Sequence, residues 1–451
     1  MILRGMDAMR ARLTRGGISD SAKNSDQAEG SALAERSREL FGEPLTPEQA
    51  VDRIIADVAA SGDDALRRYT KALDGAEGFS IVVPEEEIDA AFESIDSELR
   101  EALEEAADRV RSFHQACLPM GWFDQATGLG QAIHPLDSVG IYVPGGTASY
   151  PSTVLHTVIP ARVANVKRVA IASPPQRDGA CPPVVLAAAR IAGAQEVYRV
   201  GGAQAIAALA LGTKTIPKVD KIFGPGNIFV TLAKQKLYGR VGIDGLYGPT
   251  ETMTIADDSA NPVLAAADLL AQAEHDPLAM PIFITNSHAL SQAVAQQVDC
   301  QVQTLERRDV ANASLANQGA IGVVDSLDEA IALANEFAPE HLCLMVDDAQ
   351  SLASQVTRAG GIFLGEASPE VLGDYNAGPS HVMPTGGAAR FTSALGIHDF
   401  VRVTSLVGLN PSQAKGLYAT AARIARSEGL TAHARAAELR LDRGDEESAA
   451  S

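Results

Sequence analysis

From Ser138 onward one pattern repeats: a short apolar run, a tight turn of glycine or proline, then a helix. Val139–Val143 runs into Pro144-Gly145-Gly146, and helical periodicity follows from about Ser152 to Ala164. Arg168–Ala172 ends in Ser-Pro-Pro, with a helix from Pro183 to Ala192. Glu196–Val200 ends in Gly201-Gly202-Ala203-Gln204, with a helix to Leu211. Val219–Phe223 ends in Gly224-Pro225-Gly226-Asn227, with a helix to Tyr238. The repeat comes roughly every 25 to 30 residues, the spacing of strands joined by crossover helices in a parallel sheet. After Gly248-Pro249-Thr250-Glu251 the alternation resumes. Strands are expected at Thr252–Ala256, Pro281–Thr285, Ile321–Val324, Leu342–Val346 and Ile362–Leu364. Helices are expected from Pro262, His288, Leu327 and Ala349.

The fold class expected is α/β: two Rossmann-like parallel-sheet domains with a helical N-terminal segment and a helical C-terminal tail. The boundaries read as a disordered extension over 1–36, a mainly helical part over 37–137 joining the second α/β domain, a first domain over 138–247, a second over 248–392, and a tail over 393–451. Thr46 before Pro47 is a helix N-cap followed by proline at the first helical position. Glu85–Phe113 reads as one amphipathic helical stretch. Trp122–Pro135 reads as irregular, Gly365–Thr392 as a loop, Gln413–Glu428 as a helix, and Asp445–Ser451 as frayed.

Composition excludes some partners. A net charge of −20 argues against nucleic acid or an anionic membrane, both of which need a basic face. No apolar run approaches the roughly 20 residues that span a bilayer, and no secretory signal is read at the start. Cys117, Cys181, Cys300 and Cys343 are widely spaced without a CxxC pair, which points to buried thiols, a reducing compartment and a cytoplasmic location.

Several residues carry chemistry. The helix from Leu327 must end near Phe337, because Pro339 lacks a donor and biases Ala338 out of helical geometry. Glu340 and His341 then sit on the turn before the next strand, where a carboxylate and an imidazole side by side suit acid/base work near neutral pH. A solvated surface turn is the ordinary alternative for such a pair. Gln272 and His275, three apart at a helix end, share a face and could hold a metal, although glutamine is an unusual ligand. Both pairs lie at helix-to-strand junctions, hence on one edge of the second sheet. That edge is opposite the one where open α/β sheets usually bind ligands. The tension eases if the first domain or the tail closes over it. Asp374 and His381 lie in a turn-rich segment, where an Asx turn competes with metal ligation. Glu428 and His433 flank a break at Gly429. In the first domain, Tyr142, Gly145, Gly146, Gln204, Gly224, Gly226 and Asn227 fall at strand C-terminal ends, the usual ligand edge. No GxGxxG follows any strand, and tight structural turns explain the glycines equally well. Cys343 lies inside an apolar strand and no cysteine occupies an activated turn, which disfavours thiol-dependent aldehyde oxidation.

Nine blocks in order resemble the histidinol dehydrogenase family, over roughly Thr46 to Arg440. They are Val139–Gly146, Val200–Ala205, Phe223–Asn227, Gly248–Glu251, Ala271–His275, Ala338–Leu342, Gly373–Tyr375, His381–Thr385 and Thr431–His433. The resemblance implies a zinc- and NAD-dependent enzyme, with one Zn2+ per subunit, that oxidises L-histidinol to L-histidine through an aldehyde in two NAD-dependent steps. It implies zinc held by Gln272, His275, Asp374 and His433, and proton transfer by Glu340 and His341. It implies NAD contacts at Tyr142, Gln204 and Asn227 in the first domain. Substrate contacts are implied at Thr250, Gln272, His275, His341, Asp374, Glu428 and His433. It further implies a homodimer in which the tail, with Glu428 and His433, reaches the partner's site. Thr250 stands where many members carry serine, and Ser380 where asparagine is common. The related sulfopropanediol dehydrogenases share much of this scaffold, so another polar alcohol is the alternative substrate; a zinc hydrolase or binding protein that has lost dehydrogenation is a third reading.

Overall fold

The computed structural model describes residues 2–13, 30–145 and 149–449. Gly146 and residues 14–29 of the expected N-terminal extension lie outside them. The described residues form two compact units, Met1–Cys117 with Leu136–Phe400, and Leu118–Pro135 with Val401–Ser451.

The strands are β1 (Ile2–Arg4), β2 (Trp122–Asp124), β3 (Leu129–Pro135), β4 (Ser138–Tyr142), β5 (Arg168–Ser173), β6 (Glu196–Arg199), β7 (Lys221–Phe223) and β8 (Gly242–Ile243). They continue with β9 (Glu251–Ala256), β10 (Met280–Thr285), β11 (Ala320–Val323), β12 (His341–Met345), β13 (Gly361–Leu364) and β14 (Val401–Val407). In the first unit, one parallel sheet has the order β6-β5-β4-β7-β8 and another the order β1-β11-β10-β9-β12-β13. Helices cover both faces of central strands such as β10, in which Pro281–Thr285 are all buried. That is why these strands read as continuous apolar runs and not as alternation. Chain direction across the first sheet reverses between β4 and β7, and across the second between β9 and β12. Such switch points open a crevice between the diverging crossovers.

Helix ends follow the local signals. Thr46 accepts from the Gln49 N–H while the Gln49 side chain accepts from the Thr46 N–H. Ala338 ends its helix at φ 53°, in the left-handed region, because Pro339 bars continuation. The helical stretch expected over Glu85–Phe113 is two helices, Glu85–Ser94 and Ser97–Ala116, the second capped by Asp96.

Four sequence expectations are corrected. Ile2–Arg12 is ordered: β1 pairs with β11 and a helix, Met6–Arg12, buries Met9 completely. Trp122–Pro135 is not irregular, since β2 and β3 pair antiparallel with each other and β3 with β14, making the three-stranded sheet of the second unit. The segment 365–392 is not all loop, because a helix spans Glu370–Tyr375. The end of the chain remains helical over Thr431–Ala449, packed on helix Pro411–Ser427 through Ala422, Ala425 and Ala434. Of the four thiols, Cys181 and Cys343 are buried, whereas Cys117, at the end of helix Ser97–Ala116, and Cys300, within helix His288–Gln301, are exposed, against the expectation of buried thiols. Among the described residues no helix is long and apolar enough to cross a membrane.

Met9 tests whether the N-terminal strand belongs to the sheet. Its thioether fills the space a Cβ at Gly322 would occupy. Met9→Ala should lower unfolding stability by about 2–5 kcal/mol in urea melts, and no measurable change would show that β1 does not dock.

Candidate active site

The N-terminal edge of β9 and β12, the neighbouring strands at the switch point of the second sheet, gathers the polar side chains. The left-handed turn at Ala338 delivers Glu340 and His341 into the interior, at 6% and 3% exposure, where the sequence also allowed a solvated turn. The Thr250 hydroxyl donates to Glu340 Oε2 at 2.7 Å, and the Glu251 N–H donates to the same oxygen at 3.0 Å. Gln272 Nε2 donates to Thr250 Oγ1 at 2.8 Å. This chain turns the Gln272 amide so that its Oε1 is buried with no hydrogen-bond partner.

His341 is held the same way. Its Nδ1 lies 3.1 Å from the Glu251 carbonyl, an acceptor, so Nδ1 carries the proton. Nε2 is buried and without a hydrogen-bond partner, 3.8 Å from Asp374 Oδ1. Glu340 Oε2 and Glu370 Oε1 each stand 3.8 Å from Nδ1. Burial opposes charge on His341, yet the carboxylates of Glu370, Glu340 and Asp374 outweigh it and raise its pKa to about 9. Burial raises Glu340 above the usual carboxylate range and pushes Glu370 up to about 7.

Asp374 ends the short helix Glu370–Tyr375. His381 Nδ1 lies 2.8 Å from the Asp374 carbonyl, and the His381 N–H donates to His156 Nδ1 at 3.1 Å. His156 Nδ1 is therefore an acceptor, its proton sits on Nε2, and that nitrogen donates to the Tyr375 carbonyl at 3.2 Å. The two rings stack at 4.5 Å. His156 belongs to helix Pro151–Val163, which follows β4 of the first sheet. The first sheet thus reaches over the edge that carries Glu340 and His341, which removes the tension noted from sequence. His275 lies one residue past the helix cap at Glu274 and is exposed, although its N–H still bonds the Gln272 carbonyl at 3.2 Å. Glu428 and His433 belong to the second unit, at the cap of helix Pro411–Ser427 and in the first turn of Thr431–Ala449, and both are exposed. Among the described residues no three His, Cys, Asp or Glu side chains already converge as a ligand set.

A second cavity, of about 610 Å³, opens at the C-terminal edge of the first sheet beside its switch point. Tyr142, Gln204 and Asn227 all line it, with Gly145 and Gly202. The Tyr142 hydroxyl accepts from the Gly202 N–H at 3.1 Å, and burial raises its pKa to about 12. Gln204 is 1% exposed and neither end of its amide has a partner. Asn227 caps helix Ile228–Leu237 through Oδ1, leaving its NH2 available.

The histidinol dehydrogenase family model matches residues 43–441. The chain belongs to the histidinol dehydrogenase family. It is 50% identical to the histidinol dehydrogenase of Deinococcus radiodurans over 91% of this chain and 94% of the relative. Against the Bacillus subtilis histidinol dehydrogenase it is 47% identical over 87% of this chain and 92% of that one. The crystal structure of histidinol dehydrogenase from Elizabethkingia anophelis superposes with a TM-score of 0.86 at 35% identity, covering 93% of this chain and 97% of that chain. The protein is an oxidoreductase of this family, and a sulfopropanediol-type activity is not favoured.

Sequence reasoning missed Glu370 and His156. Glu370 follows Pro369 at a helix start, where an acid is ordinary, so no local signal marks it. His156 did carry one: it interrupts the apolar run Val154–Ile159 inside a helix buried on all sides.

The Thr250 hydroxyl has two partners that nothing else replaces. Thr250→Val should destabilise the protein by about 1–3 kcal/mol in thermal unfolding, whereas Thr250→Ser, which keeps the oxygen, should lose less than half as much. Equal losses would remove the hydroxyl from this role.

Proposed function

We propose that this protein oxidises L-histidinol to L-histidine through L-histidinaldehyde with two NAD+, the last step of histidine biosynthesis, in the cytoplasm. The observation that carries this reading is the pair of buried, unpartnered polar atoms, Gln272 Oε1 and His341 Nε2, beside the carboxylates of Glu340 and Asp374. A buried polar atom without a partner costs about 1–3 kcal/mol, so each points to a bound group. Gln272 Oε1 fits a zinc ligand, with Asp374 and His275 from the same subunit and His433 of the partner subunit. Zinc, when bound, supplies a Lewis acid that acidifies the alcohol and offsets the carboxylate field around His341.

The chain's own groups account for the proton traffic. His341 Nε2 takes the alcohol proton as hydride leaves the carbinol carbon for the first NAD+. Its Nδ1–H, fixed on the Glu251 carbonyl, keeps that lone pair directed. Both hydrogen bonds to Glu340 fall on Oε2, leaving Oε1 to take a proton from water as that water adds to the aldehyde. The hydrate then yields its hydride to a second NAD+, and the acid results. The cavity at Tyr142, Gln204 and Asn227 suits the dinucleotide in size and position, at a switch point on the C-terminal edge.

A homodimer is part of the same reading. The second unit exposes Trp122, Val403, Val407, Leu417 and Ile424, each more than half accessible. Exposed large apolar side chains of this kind suit an interaction face, and a second copy covering them would carry Glu428 and His433 to the partner's site.

Purified protein with zinc should form two NADH per L-histidinol consumed, read at the NADH absorbance, and lose this on chelation with recovery on zinc add-back. One NADH per substrate would overturn the four-electron reading. His341→Asn should slow alcohol oxidation by about 10²–10⁴-fold while sparing oxidation of supplied L-histidinaldehyde; Glu340→Gln should show the reverse bias. Equal losses in both half-reactions would defeat that division of roles.

A further inference from the structure

Lys234 and Asp244 form an ion pair in which both side chains are 2% exposed, in a place where neither touches the proposed catalytic groups. Replacing such a pair by apolar residues is often neutral or stabilising, because desolvation of two charges offsets their attraction. Stability alone therefore does not account for it, and its other contacts give it a second task. Asp244 Oδ2 accepts the Gly224 N–H at 2.7 Å, and Lys234 Nζ donates to the Gly224 carbonyl at 3.0 Å. One residue is gripped at both its N–H and its carbonyl. Gly224 has φ +109°, and a Cβ there would collide with the Tyr142 carbonyl, so this peptide has one place to be. It begins the turn Gly224-Pro225-Gly226-Asn227, which sets Asn227 on the wall of the first-sheet cavity.

The pair also reaches the other site. Asp244 Oδ1 accepts the Gly245 N–H at 2.7 Å, and the Lys234 ammonium lies 4.9 Å from the centroid of the Tyr247 ring. The Tyr247 carbonyl accepts from the Thr231 hydroxyl at 3.1 Å, and the next residue, Gly248, donates its N–H to Thr385 Oγ1 at 2.6 Å. Two residues further on is Thr250, the link between Gln272 and Glu340. Lys234 sits on helix Ile228–Leu237, and its ammonium reaches the Gly224 carbonyl in the turn that precedes that helix. It thereby clamps the cofactor-side turn and the Thr250 loop to one point.

We propose that Lys234 and Asp244 are positioning residues that hold the nicotinamide cofactor in register with the alcohol carbon, a role that rests on the cofactor reading of the Tyr142–Gln204–Asn227 cavity. Hydride transfer is sensitive to such register, since an error of about 1 Å lowers rate by about a hundredfold.

Asp244→Asn tests this, with the double variant Lys234→Met/Asp244→Asn as control for a folding defect, because it removes both charges and leaves none buried alone. Binding of NADH by fluorescence, KM for NAD+ and for L-histidinol, and the thermal midpoint are measured on the zinc-loaded protein. The double variant should keep its midpoint within a few degrees and its KM for L-histidinol, while its kcat falls about tenfold or more and its NADH dissociation constant and KM for NAD+ rise. Wild-type NADH affinity in a folded double variant would overturn the proposal. So would equal rises in both KM values, the mark of general loosening. If the wild-type protein itself neither binds NADH nor reduces NAD+, the cofactor reading fails and this role falls with it.

Discussion

Negative charge in a buried space is the constraint on which the site depends. Glu340, Glu370 and Asp374 surround His341 where water is scarce, and their combined field overcomes the burial that would otherwise keep the imidazole neutral. Such a cluster persists only if hydrogen bonds hold each carboxylate. Thr250 and the Glu251 N–H serve Glu340, and the Thr252 hydroxyl serves Glu370. All three donors come from the first residues of β9 or from its threshold. The parallel pairing of β9 with β12, which sets His341 opposite Thr252, thus fixes the electrostatics as well as the backbone.

The two sheets are used in opposite senses. The first offers its C-terminal edge at a switch point, as open α/β sheets commonly do. The second offers its N-terminal edge, where the starts of β9 and β12 present side chains and the helix ending at Ala338 turns inward. Helix Pro151–Val163 joins these edges: it starts at the ligand side of the first sheet, and its His156 holds the segment that carries Asp374 and His381.

Much of this was legible in the residues. Strand, turn and helix alternated with enough regularity to give both parallel sheets, because strands buried on both faces are apolar throughout and tight turns need glycine or proline. Proline 339 ended its helix as expected, and Tyr142, Gln204 and Asn227 fell at strand ends that line one cavity. The second unit was less visible. Its strands are largely exposed, with no clean alternation, and β3 pairs with β14 from the far end of the chain. Ile2–Arg4 is equally brief, and only pairing with β11 makes it a strand.

By itself the sequence determined local conformation and the kinds of chemistry available: where helices stop, which turns admit a backbone close to a ligand, which acids and imidazoles exist. Those follow from steric and hydrogen-bonding rules acting over a few residues. The tertiary structure decided which of them meet. Glu370 became a neighbour of His341, His156 a support for His381, and Gln272 an amide with one buried free oxygen, because charge, burial and orphaned polar atoms are properties of surroundings assembled from distant segments, and no window along the chain contains them.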